Sequence, residues 1–398
     1  MIKKIFSLLL GDILYGMSSL MPKNDKIWIF GAWFGEKYTD NSKYLYEYIN
    51  KNHKNIRAIW LTKNKDTLRM IQNKGYETYY MYSLTGIFLS MKAKVGIIST
   101  SSKDINHYCS CNMKFIQLWH GIPLKKIVYD DVITCNYPNK AKRAIMKLFP
   151  FSIEDYNKML IISTSPEVSK TLTSAFRVTA SNVVVTGYPR NDAFFIANSN
   201  VPIIKKINNL KKNSFKIGIY MPTHRQEGKI NIFELFSGNI DKINDYLKGI
   251  NTILLIKFHF YHLKEIKNIN KLSNIIFIND NDIDQDIYSI LRQTDFLITD
   301  YSSIFFDYLL LDKPIIFAPF DQEDYLKNDR EFYYNYELVT PGIKAKDWDE
   351  VLERVKNLIY CDNYTYNEER AFIKKMFHTF SDGNSSERVF QAIKIFSK

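Results

Sequence analysis

Short apolar runs recur along the chain. Each is closed by polar residues and followed by a longer stretch whose apolar positions return at helical spacing. In the first half the runs are 26–33, 56–62, 94–100, 114–119, 158–164 and 182–187; in the second they are 216–222, 251–258, 274–279, 295–300 and 313–319. Runs apolar on both faces suit strands buried in a parallel sheet. Strand and helix in alternation predict an α/β fold of parallel sheets with helices on both sides. With 398 residues there is room for two such sheets, so two Rossmann-like domains facing each other are expected. Their expected limits are 25–200 and 201–380, with the boundary in the Asn- and Lys-rich segment 197–215. After residue 340 the chain reads as helices over 348–360, 366–380 and 385–396, the last as a separate C-terminal element, 381–398.

The first 24 residues read differently. Lys3 and Lys4 precede an apolar run that Asp12 interrupts, which is too short for a membrane span and has no small-residue cleavage site after it. An amphipathic helix that lies on a membrane or packs on the protein fits better.

Composition narrows the partners. The formal charge is +12, and 11 of the 54 basic residues are arginine, so lysine carries the excess. Its densest groups are Lys125-Lys126, 140–147 and 205–216. Such groups suit an anionic membrane surface or a polyphosphate-like substrate, and they also occur as plain background. No nucleic-acid-binding motif accompanies them. Four cysteines give no disulfide framework. His107, Cys109 and Cys111 would share one face if they lay on a strand, but they lack a fourth ligand, and no metal or other cofactor is expected. The acidic run 280–286 reads as a solvated loop.

In parallel α/β sheets ligands bind beyond the carboxyl ends of the strands. Those ends supply His120, Arg190, Thr223, His224, Arg225, His259, Ser302 and Ser303, with Lys257 just inside its strand. This set suits phosphate. Ser302 and Ser303 stand between a strand and a predicted helix, where hydroxyls, free N–H groups and the helix dipole favour an anion; a serine that merely caps the helix is the plain alternative. Arg225 brings a planar fork to a diphosphate. His120 is followed by Gly121, which leaves room beside an imidazole of ordinary pKa about 6.5, able to take a proton from a hydroxyl. No Walker-type loop, G-x-G-x-x-G, G-x-S-x-G or H-E-x-x-H is present, which argues against a kinase, dehydrogenase, serine hydrolase or zinc protease.

Taken together, "LWHGIPLKKI" (118–127), "TGYPRND" (186–192), "PTHR" (222–225), "KFH" (257–259), "TDYSSIFFDYLLLDKPIIF" (299–317) and "SDGNSSERV" (381–389) resemble the CDP-glycerol glycerophosphotransferases. This family of teichoic acid primases and polymerases includes related capsule polymerases. The resemblance implies a GT-B-like fold with sheets facing a central cleft, and a CDP-glycerol or related CDP-polyol donor. It also implies transfer of polyol phosphate to a lipid-linked or polymer acceptor, with release of CMP. It implies that His120 and His259 are catalytic, and that Arg225, Ser302, Ser303 and the Ser386–Arg388 region contact the donor phosphates; Gly121, Arg190, Thr223, Lys257, Thr299 and Asp300, at the strand ends, are expected to bind substrate as well. Phe260 stands where proline is usual and Ile122 where threonine is common, which puts the acceptor's identity in question. A nucleotide donor and a lipid-linked acceptor imply a peripheral place on the cytoplasmic face of the cell membrane. A GT-B glycosyltransferase using a nucleotide sugar is the main rival.

Overall fold

The computed structural model describes residues 2–133, 149–196, 202–223, 232–257, 272–279, 286–328, 331–361 and 366–398. The chain forms two units: unit 1 comprises Met1–His120, Val128–Phe195 and Thr379–Lys398, and unit 2 comprises Gly121–Ile127 and Ile196–His378.

Unit 1 holds seven parallel strands: β1 (Asn24–Phe30), β2 (Arg57–Thr62), β3 (Thr78–Tyr80), β4 (Ala93–Ile98), β5 (Lys114–Gln117), β6 (Met159–Ser163) and β7 (Val183–Val185). Their order is β3-β2-β1-β4-β5-β6-β7. Unit 2 holds β8 (Lys216–Met221), β9 (Thr252–Ile256), β10 (Ile275–Phe277), β11 (Phe296–Thr299), β12 (Ile315–Phe317) and β13 (Ile343–Lys344), in the order β10-β9-β8-β11-β12-β13. All the registered pairs are parallel; at the centre of unit 1, Ile29 lies opposite Ile59 on one side and Gly96 on the other. Every strand expected from the apolar runs is present, and the fold class is the α/β one expected. β3 and β13, three and two residues long, were not anticipated.

Both sheets reverse their winding once, between β1 and β4 in unit 1 and between β8 and β11 in unit 2. Such a reversal opens a crevice at the carboxyl ends of the two strands. Two expected strands of unit 1 stop short: the run 26–33, at the reversal, ends at Phe30, and the run 114–119, one strand beyond β4, ends at Gln117. The residues beyond are turns that carry side chains upward.

The core of unit 2 gathers Tyr220, Phe236 and Trp348, with Phe236 5.4 Å and Tyr220 5.0 Å from the Trp348 ring. Trp348 opens the helix Trp348–Tyr360, whose N-terminus Asp347 caps through Glu350 N. The C-terminal helix Ser385–Phe396 belongs to unit 1, where His53 stacks on Phe390 at 3.6 Å and the Tyr48 hydroxyl donates to Glu387.

The N-terminal helix, α1 (Ile2–Leu20), docks on unit 1 by one side. Gly11 lies so close to Tyr108 and Phe151 that any side chain there would collide with them, and Ser18 donates to the carbonyl of Cys109 at 2.8 Å. Leu9, Ile13, Met17 and Leu20 fall on the opposite side and are exposed. Among the described residues no helix is long and apolar enough to cross a membrane.

The contact beneath α1 also corrects one expectation. His107–Cys109 is a 3-10 turn rather than a strand, so His107, Cys109 and Cys111 share no strand face. The His107 ring instead packs on Tyr108 at 4.1 Å and Phe151 at 6.0 Å. Burial, with help from Lys103, pulls its pKa down to about 4. The unfolded chain takes up this proton near pH 6.5 and the folded chain does not, so folding releases it across that interval. Stability is therefore expected to fall as pH drops from about 6.5 toward about 4, and His107→Phe should flatten that part of a urea-unfolding pH series. An unchanged slope would place the titrating group elsewhere.

Candidate active site

His120 sits past the end of β5, on a turn that the backbone alone would not favour. Trp119 has φ +55°, a left-handed conformation that costs a bulky residue about 1–2 kcal/mol. Four side chains hold it there. Gln117 Oε1 accepts from Trp119 N at 3.0 Å. Asn41, in the first turn of α2 (Asp40–Asn52), donates to the carbonyls of Trp119 at 2.8 Å and Leu118 at 3.3 Å. Arg190 Nη1 donates to the carbonyl of His120 at 2.7 Å, and the Trp119 ring meets Phe176 edge-on at 5.1 Å. Gly121 follows with φ +153°, a value open to glycine.

The imidazole itself is oriented by Ser99 at the end of β4, whose carbonyl lies 2.9 Å from Nδ1. A carbonyl can only accept, so Nδ1 carries the proton and Nε2 keeps its lone pair in the neutral ring. Trp119 and Trp33 flank the ring at 4.2 and 5.6 Å. Ser99 is held in turn by Asp104, which accepts from Ser99 N at 2.8 Å, Thr100 N at 2.7 Å and Phe34 N at 2.7 Å. Burial pushes the Asp104 carboxyl up to about 7, against the pull of these backbone donors.

Arg190 does not stand open to a ligand as expected. It is 4% exposed, and the same Nη1 that holds His120 pairs with Asp40 Oδ1 at 2.8 Å. Asp40 Oδ2 meets the Trp33 indole N–H at 3.3 Å, so Arg190 and Asp40 form a brace under the His120 turn. Ser386 is also buried. Its N–H and that of Ser385 donate to the two Asp192 oxygens at 2.7 and 2.8 Å, which places a carboxylate on the N-terminus of the C-terminal helix. Burial raises the Asp192 pKa while the bonds to Ser386 and Ser385 oppose it. Gly187, at φ +80°, allows the approach: a Cβ there would lie 2.5 Å from Ser385 Oγ. Arg388 pairs with Asp382 and covers the Phe380 ring at 3.7 Å. The motifs at 186–192 and 381–389 therefore meet each other in unit 1, and the buried Ser386 is spent on that contact.

In unit 2 the candidates collect at the reversal between β8 and β11. Asp300 Oδ1 accepts from Thr223 N at 2.8 Å and Tyr301 N at 2.6 Å, and Thr299 Oγ1 donates to the Met221 carbonyl at 2.7 Å. Thr299 and Asp300 are buried, so they join the two strand ends rather than lie open to a ligand. Thr223, Ser302 and Ser303 are partly exposed above them. Ser303 precedes the helix Ile304–Tyr308 but makes no side-chain cap bond, and Ser302 Oγ lies 3.5 Å from Ile304 N. Capping thus engages Ser302 weakly and Ser303 not at all. The helix is five residues long before it tightens into the 3-10 turn Leu309–Leu311, so its dipole is a smaller part of the site than expected. Asp307 and Tyr308 lock it from beneath, accepting from Tyr288 and meeting Thr294 at 2.7 and 2.8 Å. His378 Nε2 meets the Phe306 carbonyl at 2.7 Å from the other side. Lys257 lies at the end of β9, its N–H bonded to the Tyr220 carbonyl at 3.1 Å. Arg225, His224 and His259 lie outside the described residues, as does Phe260.

Asp40, Asn41, Ser99 and Asp104 were not singled out in the sequence. The first two lie in the first turn of α2 after Thr39, where nothing in the sequence marks them as site residues. Among the described residues no three His, Cys, Asp or Glu side chains gather as a metal site would require.

A model of the family described as CDP-glycerol:poly(glycerophosphate) glycerophosphotransferase matches residues 13–395. The teichoic acid glycerol-phosphate transferase of Staphylococcus aureus is 28% identical, over 99% of this chain and 100% of its own. The teichoic acid poly(glycerol phosphate) polymerase of Bacillus spizizenii is 29% identical, over 96% and 95%. Among solved structures, the wall teichoic acid polymerase TagF superposes with TM-score 0.76 at 24% identity, over 100% of this chain and 96% of the other. The UDP-GlcNAc 2-epimerase of Neisseria meningitidis shares the fold at TM-score 0.55 and 13% identity, over 93% and 99%. With nearly its whole length matched by the family and by full-length relatives, the chain belongs to the CDP-glycerol:poly(glycerophosphate) glycerophosphotransferases.

Proposed function

We propose that this enzyme moves glycerol phosphate, or another polyol phosphate, from CDP-glycerol to an acceptor hydroxyl in the synthesis of a teichoic-acid-like or capsule-like polymer. The observation that carries the reading is the fixed tautomer of His120, with Nδ1–H on the Ser99 carbonyl and Nε2 left as a base. The acceptor oxygen attacks the phosphorus nearer the glycerol and gives its proton to Nε2. The new P–O bond forms as the bond to the bridging oxygen breaks, and CMP leaves with that electron pair. A positioned base of this kind contributes about 10² to 10⁴ in rate.

Unit 2 supplies the donor-phosphate residues. The hydroxyls of Thr223, Ser302 and Ser303 meet the diphosphate oxygens, with Asp300 holding the two strand ends in register. Arg225, His259 and Lys257 add positive charge and donors there, a role that rests on the resemblance of their motifs. Charge stabilisation of this sort is the larger share of phosphoryl-transfer catalysis. A nucleotide-sugar transferase would use the same fold, and the family membership favours the CDP-polyol donor.

The exposed side of α1 is the proposed attachment to the cytoplasmic membrane surface. Leu9, Ile13, Met17 and Leu20 form one apolar stripe, suited to the boundary between headgroups and acyl chains. Lysines elsewhere on the chain add attraction to anionic lipid.

With CDP-glycerol and acceptor, His120→Ala should lower CMP release by about 10² to 10⁴; release at the parent rate would remove His120 from the chemistry. A panel of CDP-polyols and UDP-sugars tests the donor in the same assay, and turnover of the sugars alone would favour the rival. Arg190→Ala should reduce kcat by about 10²-fold through displacement of the His120 turn, with the KM for CDP-glycerol little changed and partial recovery in Arg190→Lys. An unchanged kcat, or a loss confined to donor KM, would return Arg190 to a ligand role. Ile13→Asp combined with Met17→Asp should cut sedimentation with vesicles of anionic phospholipid by about tenfold while CMP release to a soluble acceptor persists. Retained vesicle binding would assign the attachment to another surface.

A further inference from the structure

The turn after β1 lies at the winding reversal of unit 1, beside β4, and it is strained. Trp33, Phe34 and Gly35 have φ of +47°, +56° and +77°, three successive left-handed residues of which two are large aromatics. The surroundings hold the turn on every side. Phe34 N donates to Asp104 at 2.7 Å, and the Gly35 carbonyl accepts from Thr62 Oγ1 at 2.7 Å and Lys63 N at 2.8 Å. The carboxylate that fixes this turn also fixes Ser99, on which His120 rests.

The strain is not spent on burial. Trp33 is 38% exposed and Phe34 44% exposed, although rings of this size are normally driven inward. The Trp33 indole N–H is tied to Asp40 at 3.3 Å, which sets the ring's orientation, and the ring stands 5.6 Å from the His120 imidazole. Two adjacent aromatics are thus held out to solvent by strained backbone, Trp33 beside the His120 imidazole and Phe34 next to it in the turn, at the crevice where a parallel sheet binds its ligands.

We propose that Trp33 and Phe34 are the platform on which a sugar ring at the end of the acceptor stacks. A pyranose presents an apolar C–H face, which suits the negative face of an aromatic ring, while its hydroxyls project from the edge toward solvent and toward Nε2 of His120. A linear polyol phosphate has no such face and carries charge along its length. The platform therefore selects an acceptor ending in a saccharide. The inference rests on His120 as the base of the proposed transfer.

Kinetics with two soluble acceptor classes test it: a panel of alkyl hexosides and hexosaminides, and an oligomer of glycerol phosphate. Trp33→Ala and Phe34→Ala should raise the KM for the best glycoside by about tenfold or more and leave the KM for CDP-glycerol within about twofold. Trp33→Phe should recover most of the glycoside affinity. Phe34→Gly suits the left-handed backbone, so it should melt no lower than the parent and still lose the glycoside, which separates loss of the ring from loss of the fold. Unchanged glycoside KM values, equal losses for both acceptor classes, or use of the oligomer alone by the parent would each overturn the platform. If the parent releases no CMP from CDP-glycerol with any acceptor, the transfer reading has failed; if His120→Ala alone is inactive and the platform variants are normal, that reading stands and the platform falls.

Discussion

A single guanidinium, buried in unit 1, governs the geometry of the His120 turn. Arg190 joins the carboxylate of Asp40 to the carbonyl of His120, and Asn41 beside Asp40 takes the two preceding carbonyls. A buried ion pair gains little net stability over an apolar pair of the same shape, but removing one partner leaves a charge stranded in the interior. The arrangement therefore does more for specificity than for stability. It makes one left-handed conformation of Trp119 the low-energy choice, and with it one direction for the imidazole. Asp104 acts in the same way one strand over, with a single carboxylate organising the ends of β1 and β4.

The two sheets share one winding, and each presents its chemistry at its own reversal. In unit 1 that place carries the exposed aromatics, with the His120 turn one strand over; in unit 2 it carries hydroxyls above a buried aspartate. The difference follows from the turns. β5 runs into a left-handed residue that lifts His120 above the sheet, whereas β11 runs into a short helix preceded by two serines, of which Ser302 accepts weakly from Ile304 N and Ser303 makes no side-chain cap bond.

Much of this was legible in the sequence, because buried parallel strands leave runs apolar on both faces. β3 and β13 left no such run: they lie at sheet edges and are too short for a pattern. The strand ends were harder to read. The run 26–33 continues apolar through Trp33, so Trp33 reads as strand in sequence, yet Gly31 and the packing of Asp104 turn the chain at Phe30. Arg190 shows a different limit. An arginine after a strand looks the same in sequence whether its fork meets a ligand or a carboxylate 150 residues away. Ser386 shows the same limit, since in this structure its N–H is held by Asp192, 194 positions earlier, at the helix end where an anion would sit.

The carboxylate of Asp192 on the C-terminal helix has a further consequence, in the order of synthesis. All of unit 2 is made before residues 379–398, which complete unit 1. While the chain emerges, unit 1 waits with a bare carboxylate at Asp192 and an uncovered face at Trp28 and His53, both later closed by Phe390. Unit 2 can fold as a whole in that interval. The unit that holds His120 is therefore the last to have all its parts, when the helix that covers Trp28 and His53 is made.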